Sequence, residues 1–166
     1  IKDSLILCDP AWPDIKHENI IKDNLKSLDL TLADIQYVFV SHEHMDHCSS
    51  LASLPMLQDL VLLNQQNIDQ IPGLTIKSTP GHSQDSQTLC FKSDNKKIAV
   101  AGDAIINEEY LLAWEVYRPN LYSEEAIKQT RQTMKYLIKR FSIIIPGHGD
   151  IIHVTQELKK KMNSKQ

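Results

Sequence analysis

The stretch from Ser41 to His47 constrains this chain more than any other. It reads Ser-His-Glu-His-Met-Asp-His and places three histidines and one aspartate within six consecutive positions. It directly follows the apolar run Tyr37–Val40, which is rich in β-branched and aromatic residues and is predicted to be a buried strand. Alternate side chains of an extended segment share one side, so we expect His42, His44 and Asp46 to project together.

An exposed polar turn would account for one or two histidines, but it does not account for four ligand-type side chains at H-x-H-x-D-H spacing. Crowded imidazoles and carboxylates lose hydration and repel their neighbours unless a cation compensates them. The motif therefore predicts a metal site. Nitrogen and oxygen donors without a thiolate suit zinc, iron or manganese.

Three later apolar strands also end in a turn that carries a ligand-type residue. These are His82 after Leu74–Ser78, Asp103 after Lys97–Ala101 and His148 after Ser142–Ile145. A single histidine in a turn usually has no special role, and the alternative for Asp103 is a helix N-cap or a turn residue. Loops at strand ends are where layered α/β proteins build their sites, so these residues are candidates for the same centre.

The remaining pattern indicates one α/β domain over residues 1–166. Helical spacing of apolar residues predicts helices over His17–Leu28, after the N-cap Ser123 as far as Phe141, and over Thr155–Gln166. Short apolar strands alternate with these helices. A chain of 166 residues is long enough for a single good core.

Composition excludes several classes of protein. The chain is 42% hydrophobic and 23% charged, as expected for a globular protein. Its net charge of −3 is not the positive charge that is typical of nucleic-acid-binding domains. Cys8, Cys48 and Cys90 form no C-x-x-C pair, which argues against a disulfide framework and predicts a reducing, cytoplasmic location. No apolar run approaches the roughly 20 residues of a membrane span, so we expect no membrane partner.

The Ser41–His47 motif resembles the H-x-H-x-D-H signature of the metallo-β-lactamase-fold superfamily. The segments Thr-Pro-Gly-His-Ser, Gly-Asp and Pro-Gly-His-Gly then follow in the family's order, so the resemblance covers roughly Asp9 to Gly149. It implies an α+β fold, the αβ/βα four-layer sandwich. Family members usually carry strands before the one that ends at Asp9. Their absence here predicts either a truncated N-terminus or a sheet edge completed by another chain, such as a second copy.

The resemblance also implies roles for the ligand-type residues. His42, His44 and His82 would hold one divalent ion, Asp46, His47 and His148 would hold a second, and Asp103 would bridge them. Asp46 would also be catalytic. Zinc is the first expectation, with iron or manganese as alternatives. Two metals about 3.5–4 Å apart can share a water and make hydroxide available near neutral pH.

The region Ile105–Tyr122 is dense in large side chains, and in similar proteins it shapes the substrate pocket. Trp114, Tyr117, Arg118 and Tyr122 are therefore candidates for the pocket wall, although each could equally pack in the core or a loop. One departure from the family follows Asp46-His47, where a small residue and glycine are usual. Here Cys48 stands instead, so a thiol lies either near the site or in inert packing.

The resemblance predicts a hydrolase that acts on an ester, thioester, lactone or phosphodiester through a metal-activated hydroxide. The layout is most similar to the metallo-β-lactamase domain-containing protein 1 group, which is linked to RNA processing. A small molecule and RNA are thus both candidate substrates, and endoribonuclease and thioesterase activities are both open. The alternatives are a mononuclear iron dioxygenase of persulfides and a non-enzymatic, metal-stabilised module that binds a partner through its N-terminal sheet edge.

Overall fold

Two β-sheets carry the fold of this protein, for which a computed structural model describes residues 4–11, 15–53, 57, 59–116 and 122–165. The first sheet has the order β1-β2-β3, with β1 (Leu5–Cys8), β2 (Ile35–Phe39) and β3 (Val61–Leu62). The second runs β4 to β8 in sequence order, with β4 (Thr75–Ser78), β5 (Gln87–Ser93), β6 (Lys96–Gly102), β7 (Ile143–Pro146) and β8 (Ile152–His153). The helices are α1 (Ile15–Lys26), α2 (Met45–Ser53), α3 (Glu108–Ala113), α4 (Glu124–Arg140) and α5 (Gln156–Asn163).

The strand pairing follows from the connections. The first sheet is parallel throughout. In the second sheet β4, β5 and β6 form an antiparallel meander, and α3 and α4 lie in the crossover that makes β6 and β7 parallel. Asp94 and Asn95 have positive φ values of 48° and 61°, which a tight β5–β6 hairpin requires of its two central residues.

Alternation along β5 and β6 divides the core into two clusters. Leu89 and Val100 point to the face that packs with Phe39 of β2, so this cluster joins the two sheets. Cys90 and Ala99 point to the other face, where they pack with Leu137 of α4. The mixed α/β architecture with two sheets and flanking helices is therefore confirmed. The assignment of residues 1–166 to one domain stays a prediction.

The extended segment after β2 ends earlier than the alternating pattern of ligand-type residues predicted. Helix α2 begins at Met45, so Asp46 and His47 lie in its first turn and do not continue an extended segment. The backbone amides of His47 and Cys48 both donate to the carbonyl of His44, at 2.9 and 3.2 Å. A carboxylate in the first turn is favoured by the helix dipole, which explains the early start.

Helix α3 was not predicted. The side chain of Asn107 caps it by accepting from the amide of Tyr110 at 2.9 Å, and Glu108 and Glu109 occupy its first turn. The predicted N-cap of α4 is confirmed, because the Ser123 hydroxyl accepts from the amide of Ala126 at 3.2 Å.

β1 stands at the edge of the first sheet, with β2 as its partner among the described strands. Pairing of a second copy at this edge stays a prediction. Among the helices that the structure describes, none combines the length and the apolar character needed to cross a membrane.

The core packing of α4 predicts a large difference between two leucine substitutions. Leu137 is fully buried against the second sheet, whereas Leu28 is 68% exposed. We expect Leu137→Ala to lower the free energy of unfolding by about 2–5 kcal/mol, because it removes buried contacts and leaves a cavity. The matched variant Leu28→Ala should change it by about 0.5 kcal/mol or less. Urea denaturation followed by circular dichroism measures both, and equal losses would contradict the assigned packing.

Candidate metal centre

Seven side chains from four separate segments converge beside the strand ends. The segment between β2 and α2 supplies His42 and His44, and the first turn of α2 supplies Asp46 and His47. The β4–β5 connection supplies His82, the end of β6 supplies Asp103, and the β7–β8 connection supplies His148. The structure thus brings together every residue that the motifs predicted as a candidate ligand.

The first group consists of three imidazoles. His44 Nδ1 lies 2.9 Å from His42 Nε2 and 3.0 Å from His82 Nε2. The three ligand atoms all lie within 4.8 Å of one another. His42 and His82 are buried, with 2% and 7% exposure, and His44 is partly buried.

The second group consists of Asp46, His47 and His148, whose ligand atoms also lie within 4.8 Å of one another. Asp46 Oδ2 is 3.8 Å from His47 Nε2 and 3.6 Å from His148 Nε2. The Asp46 and His148 side chains are 61% and 46% exposed, whereas that of His47 is 2% exposed. This group therefore faces solvent on one side.

The Asp103 carboxylate lies between the two groups. Its Oδ2 is 3.3 Å from His82 Nε2 in the first group, while its Oδ1 is 3.3 Å from His47 Nε2 and 3.4 Å from His148 Nε2 in the second. The side chain is only 7% exposed. One carboxylate thus contacts both groups, each through a different oxygen.

Three of the histidines have their outer nitrogen held by a polar partner. His42 Nδ1 is 3.0 Å from Ser41 Oγ, His47 Nδ1 is 3.0 Å from Asp9 Oδ2, and His82 Nδ1 is 2.9 Å from Tyr122 Oη. Each contact fixes the ring and directs the Nε2 atom toward the centre. Such outer partners are typical of metal-binding histidines, whose tautomer they set.

Asp9 organises the motif from the end of β1. It has a left-handed backbone with φ of 48°, and its carboxylate accepts from the Ser41 amide at 2.6 Å and from the Ser41 hydroxyl at 2.8 Å. The same carboxylate contacts His47 Nδ1. Sequence analysis placed Asp9 at its strand end but gave it no part in the site. An aspartate at a strand terminus was the available signal.

Two glycines let the segments approach closely. A Cβ on Gly147 would overlap the Asp103 carboxylate, and a Cβ on Gly102 would overlap the Ser41 side chain. Gly102 also has a positive φ of 51°. These positions exclude side chains because the loops that carry the ligands pack against each other directly.

Helix α4 supports the turn that presents His82. Gly81 has φ of 142°, and a Cβ there would stand 2.5 Å from the Cα of Thr130. The Thr133 hydroxyl donates to the carbonyl of Pro80 at 2.8 Å. Tyr122, just before the N-cap of α4, completes this support through His82 Nδ1.

Burial and neighbouring charges separate the pKa values of the histidines. Burial, together with the nearby His47 and His82, lowers the pKa of His42 to about 4. Burial also lowers the pKa of His82. Burial acts in the same direction on His47, but the neighbouring carboxylates of Asp103 and Asp9 outweigh it and raise the pKa of His47 to about 10. Burial opposes ionisation of Asp103, yet contact with His47 holds the pKa of this carboxyl below its ordinary value.

The donor set fits a divalent cation. His47 Nε2 and Asp103 Oδ1 are buried atoms that have no hydrogen-bond partner among the described residues, although they lie 3.3 Å apart. Buried polar atoms are normally satisfied, so this pair calls for a further partner. Five imidazoles and two carboxylates without a thiolate are ligands for zinc, iron or manganese.

A cavity of about 550 Å³ opens over the centre. Its lining includes His44, Asp46, His82, Asp103 and His148 together with Met45, Ile106, Asn107 and Tyr110. Met45 is 79% exposed. Sequence analysis missed the last four residues, three of which belong to or precede the unpredicted helix α3.

Two of the residues predicted for the pocket wall, Trp114 and Tyr122, are not among the described residues that line the cavity. Trp114 is 6% exposed and packs in the helix-side core beneath Arg131 and Lys135. Tyr122 lies behind His82 and contacts its outer nitrogen. Tyr117 and Arg118 lie outside the described residues.

Cys48 does not belong to the described lining of this cavity. Its thiol donates to the carbonyl of Glu43 at 3.4 Å, and burial and the surrounding carboxylates raise its pKa. The thiol is therefore protonated near neutral pH, which favours the packing interpretation over a reactive one.

Parts of this chain are similar in sequence to known proteins. Residues 1–59 match the family model of the metallo-beta-lactamase superfamily. The chain is 24% identical over 93% of its length to uncharacterized protein C03F11.2 of Caenorhabditis elegans, and 33% identical over 33% of its length to N-acyl homoserine lactonase AttM of Agrobacterium fabrum. These matches span 47% and 21% of the two relatives, so the chain covers about half or less of the curated relatives it matches.

Solved structures share the fold. A probable metal-dependent hydrolase from Staphylococcus aureus superposes with a TM-score of 0.67 at 14% identity, over 92% of this chain and 74% of that one. At this level of identity the likeness concerns the fold alone.

The contact between Tyr122 and His82 predicts an effect on metal affinity. We expect Tyr122→Phe to weaken zinc binding by about 10- to 100-fold, because the variant keeps the ring but removes the hydroxyl that fixes the His82 tautomer. Tyr136→Phe, at a residue of α4 that is 37% exposed, should leave the affinity unchanged. Competition with a chromophoric chelator measures both, and equal affinities for the two variants would contradict the role of Tyr122.

The raised pKa of His47 predicts that metal binding releases a proton. With a pKa of about 10, His47 carries a proton at pH 7 and must lose it before Nε2 can bind a cation. Zinc binding at this group should therefore tighten by about tenfold per pH unit as the pH rises from 6 to 9. Calorimetry in buffers of different ionisation enthalpy should show about one proton more for the wild type than for His47→Ala. Equal proton release would contradict this assignment.

Proposed function

We propose that this chain is a member of the metallo-β-lactamase superfamily and a metal-dependent hydrolase of uncharged esters, thioesters or lactones. The observation that carries the proposal is the position of Asp103, whose two oxygens address two ligand groups at the floor of an open cavity. A single structural ion would leave one of these groups without a partner.

The residues that would hold the cations follow from the two groups. His42, His44 and His82 would bind one divalent ion, Asp46, His47 and His148 a second, and Asp103 would contact both. Zinc suits the nitrogen-rich set best, with iron or manganese as alternatives. When bound, such ions polarise a substrate carbonyl and lower the pKa of water.

Asp46 is the group best placed to move a proton. Its side chain is 61% exposed and lines the cavity, while its Oδ2 lies near His47 and His148. From this position the carboxylate can accept a proton from the attacking water and return it to the leaving group, an oxygen in esters and lactones and a sulfur in thioesters. The buried His42, His47 and Asp103 hold the floor of the cavity rigid. This rigidity keeps the reacting groups in a fixed orientation.

The cavity wall supports an apolar, uncharged substrate. Met45, Ile106 and Tyr110 offer apolar surface next to the ligands, and the Asn107 amide can donate to a carbonyl. No lysine or arginine occurs among the lining residues that the structure describes, and a phosphodiester backbone would be expected to meet such cations. The lactonase activity named for the Agrobacterium relative agrees with this substrate class.

The two other interpretations account for less of the geometry. A mononuclear iron dioxygenase would use the first group and leave Asp46, His47 and His148 assembled without a role. A metal-stabilised binding module would not need a cavity of about 550 Å³ over exposed ligands. Both predict that substitution of Asp46 leaves the first metal and any function intact.

The test combines metal analysis with substrate comparison. We expect about two zinc ions per chain, and hydrolysis of an acyl-homoserine lactone or a 4-nitrophenyl ester in preference to bis(4-nitrophenyl) phosphate. Asp46→Asn should lower kcat for the preferred substrate on the order of 100-fold, because it removes the proton acceptor. Asp69→Asn, an exposed substitution on the Ile68–Gln70 turn, should have no effect.

Three results would overturn the proposal. Preferred cleavage of the phosphodiester would contradict the substrate class. One iron per chain with consumption of oxygen in the presence of a persulfide would indicate the dioxygenase. A fully metal-loaded chain that hydrolyses none of the substrates would favour the binding module.

A further inference from the structure

A second concave surface lies on the helix side of the second sheet. It is a groove of about 440 Å³ whose lining includes Thr75, Lys77, Cys90, Lys92, Lys97 and Tyr136, and we name it the lysine groove. We propose that the lysine groove binds a small organic anion that carries an aromatic or apolar group. This site is additional to the proposed hydrolase centre, and the described linings of the two cavities have no residue in common.

Strand alternation places the three lysines on one face. Ile76 of β4 is buried between the sheets, so its neighbours Thr75 and Lys77 project to the opposite face. Cys90 and Ala99 belong to the helix-side cluster, so residues two positions away, Lys92 on β5 and Lys97 on β6, project to the same side.

The strand register places an uncharged residue pair between these cations. Thr75 pairs with Cys90, and from this pair Lys77 lies in one direction along the sheet. Lys92 and Lys97 lie in the other direction, where they are direct cross-strand partners. The groove therefore has positive charge at both ends.

The charge of these lysines is not neutralised within the described part of the chain. None of Lys77, Lys92 and Lys97 forms an ion pair with a described carboxylate, and like charges directly opposite on antiparallel strands destabilise the pair. Arg140 adds a fourth cation near the rim, with its guanidinium 5.6 Å from the centre of the Tyr136 ring. An anion in the groove would relieve this repulsion.

Protection of a sheet edge does not account for the pattern. Lysines often stand on edge strands, where they discourage pairing with other chains, and Lys77 on β4 fits that role. Lys92 lies on β5 beyond the last pair with β4, Cys90 with Thr75, and Lys97 lies on β6, which has β5 and β7 on its two sides. Edge protection therefore does not account for Lys97 or for its position directly opposite Lys92.

The floor and rim of the groove favour an organic occupant over a bare inorganic ion. Phe141 and Cys90 in the lining are 7% and 6% exposed, and Tyr136 is 37% exposed at the rim. Burial raises the pKa of Cys90 to about 11, although Lys77 opposes the shift, so the thiol stays neutral. A volume of about 440 Å³ lies within the range of small-molecule sites, roughly 300–1,000 Å³.

Fluorescence titration of the metal-loaded protein with 8-anilinonaphthalene-1-sulfonate tests the proposal. This probe combines an aromatic body with a sulfonate. The triple substitution Lys77→Gln, Lys92→Gln and Lys97→Gln should raise its Kd by about tenfold or more, since three cations near the sulfonate are lost. The matched control replaces Lys139, Lys160 and Lys161, which are exposed, by glutamine and should change the Kd by about twofold or less. Circular dichroism and hydrolytic activity should be unchanged in both.

The remaining outcomes contradict the proposal. Equal weakening in both triple variants would show a general charge effect, and an unchanged Kd in both would place the probe elsewhere. Displacement of the probe by sulfate but not by chloride at equal ionic strength would reduce the groove to a simple anion site. Lysine-dependent binding of a single-stranded oligonucleotide, without binding of the probe, would identify a nucleic-acid surface instead.

Discussion

The buried carboxylate of Asp103 is the contact on which the rest of the centre depends. Its two oxygens meet histidines from opposite groups, and it can do so only because Gly147 has no side chain to occupy the same space. The parallel pairing of β6 with β7 sets Gly102 beside Pro146 and so brings the two turns together. The central strand pair of the second sheet therefore fixes the position of the carboxylate.

The orientation of the ligands depends on parts of the chain that are far apart in sequence. Asp9 at the end of β1, Ser41 after β2 and Tyr122 before α4 each hold the outer nitrogen of one histidine. Both sheets and a helix must be in place before the inner nitrogens converge. A cation bound at the centre would therefore stabilise the whole fold, because binding energy at a site that exists only in the folded state adds to folding.

The same alternation that builds the core also distributes charge over the second sheet. On β4 to β6, one set of positions packs between the sheets, and the other set packs under α4 or lines the lysine groove beside Tyr136 and Phe141. The strand ends carry the ligands, with Asp46 and His148 open to solvent. The sheet thus presents two chemically different concave surfaces, one with apolar walls over histidines and carboxylates and one with cationic ends.

The sequence by itself determined the features that depend on neighbours along the chain. Ligand-type residues after apolar strands identified His42, His82, Asp103 and His148, and a serine before a helical pattern identified the N-cap of α4, because strand periodicity and capping are local. Only the tertiary structure decided which side chains meet across segments. In the tertiary structure Trp114 is buried in the core and Tyr122 contacts the outer nitrogen of His82. Met45 and Tyr110 line the cavity. Helix α2 begins at Met45, although the alternating pattern predicted an extended segment as far as Asp46. The helix dipole and the packing of the helix outweigh a pattern of only a few residues.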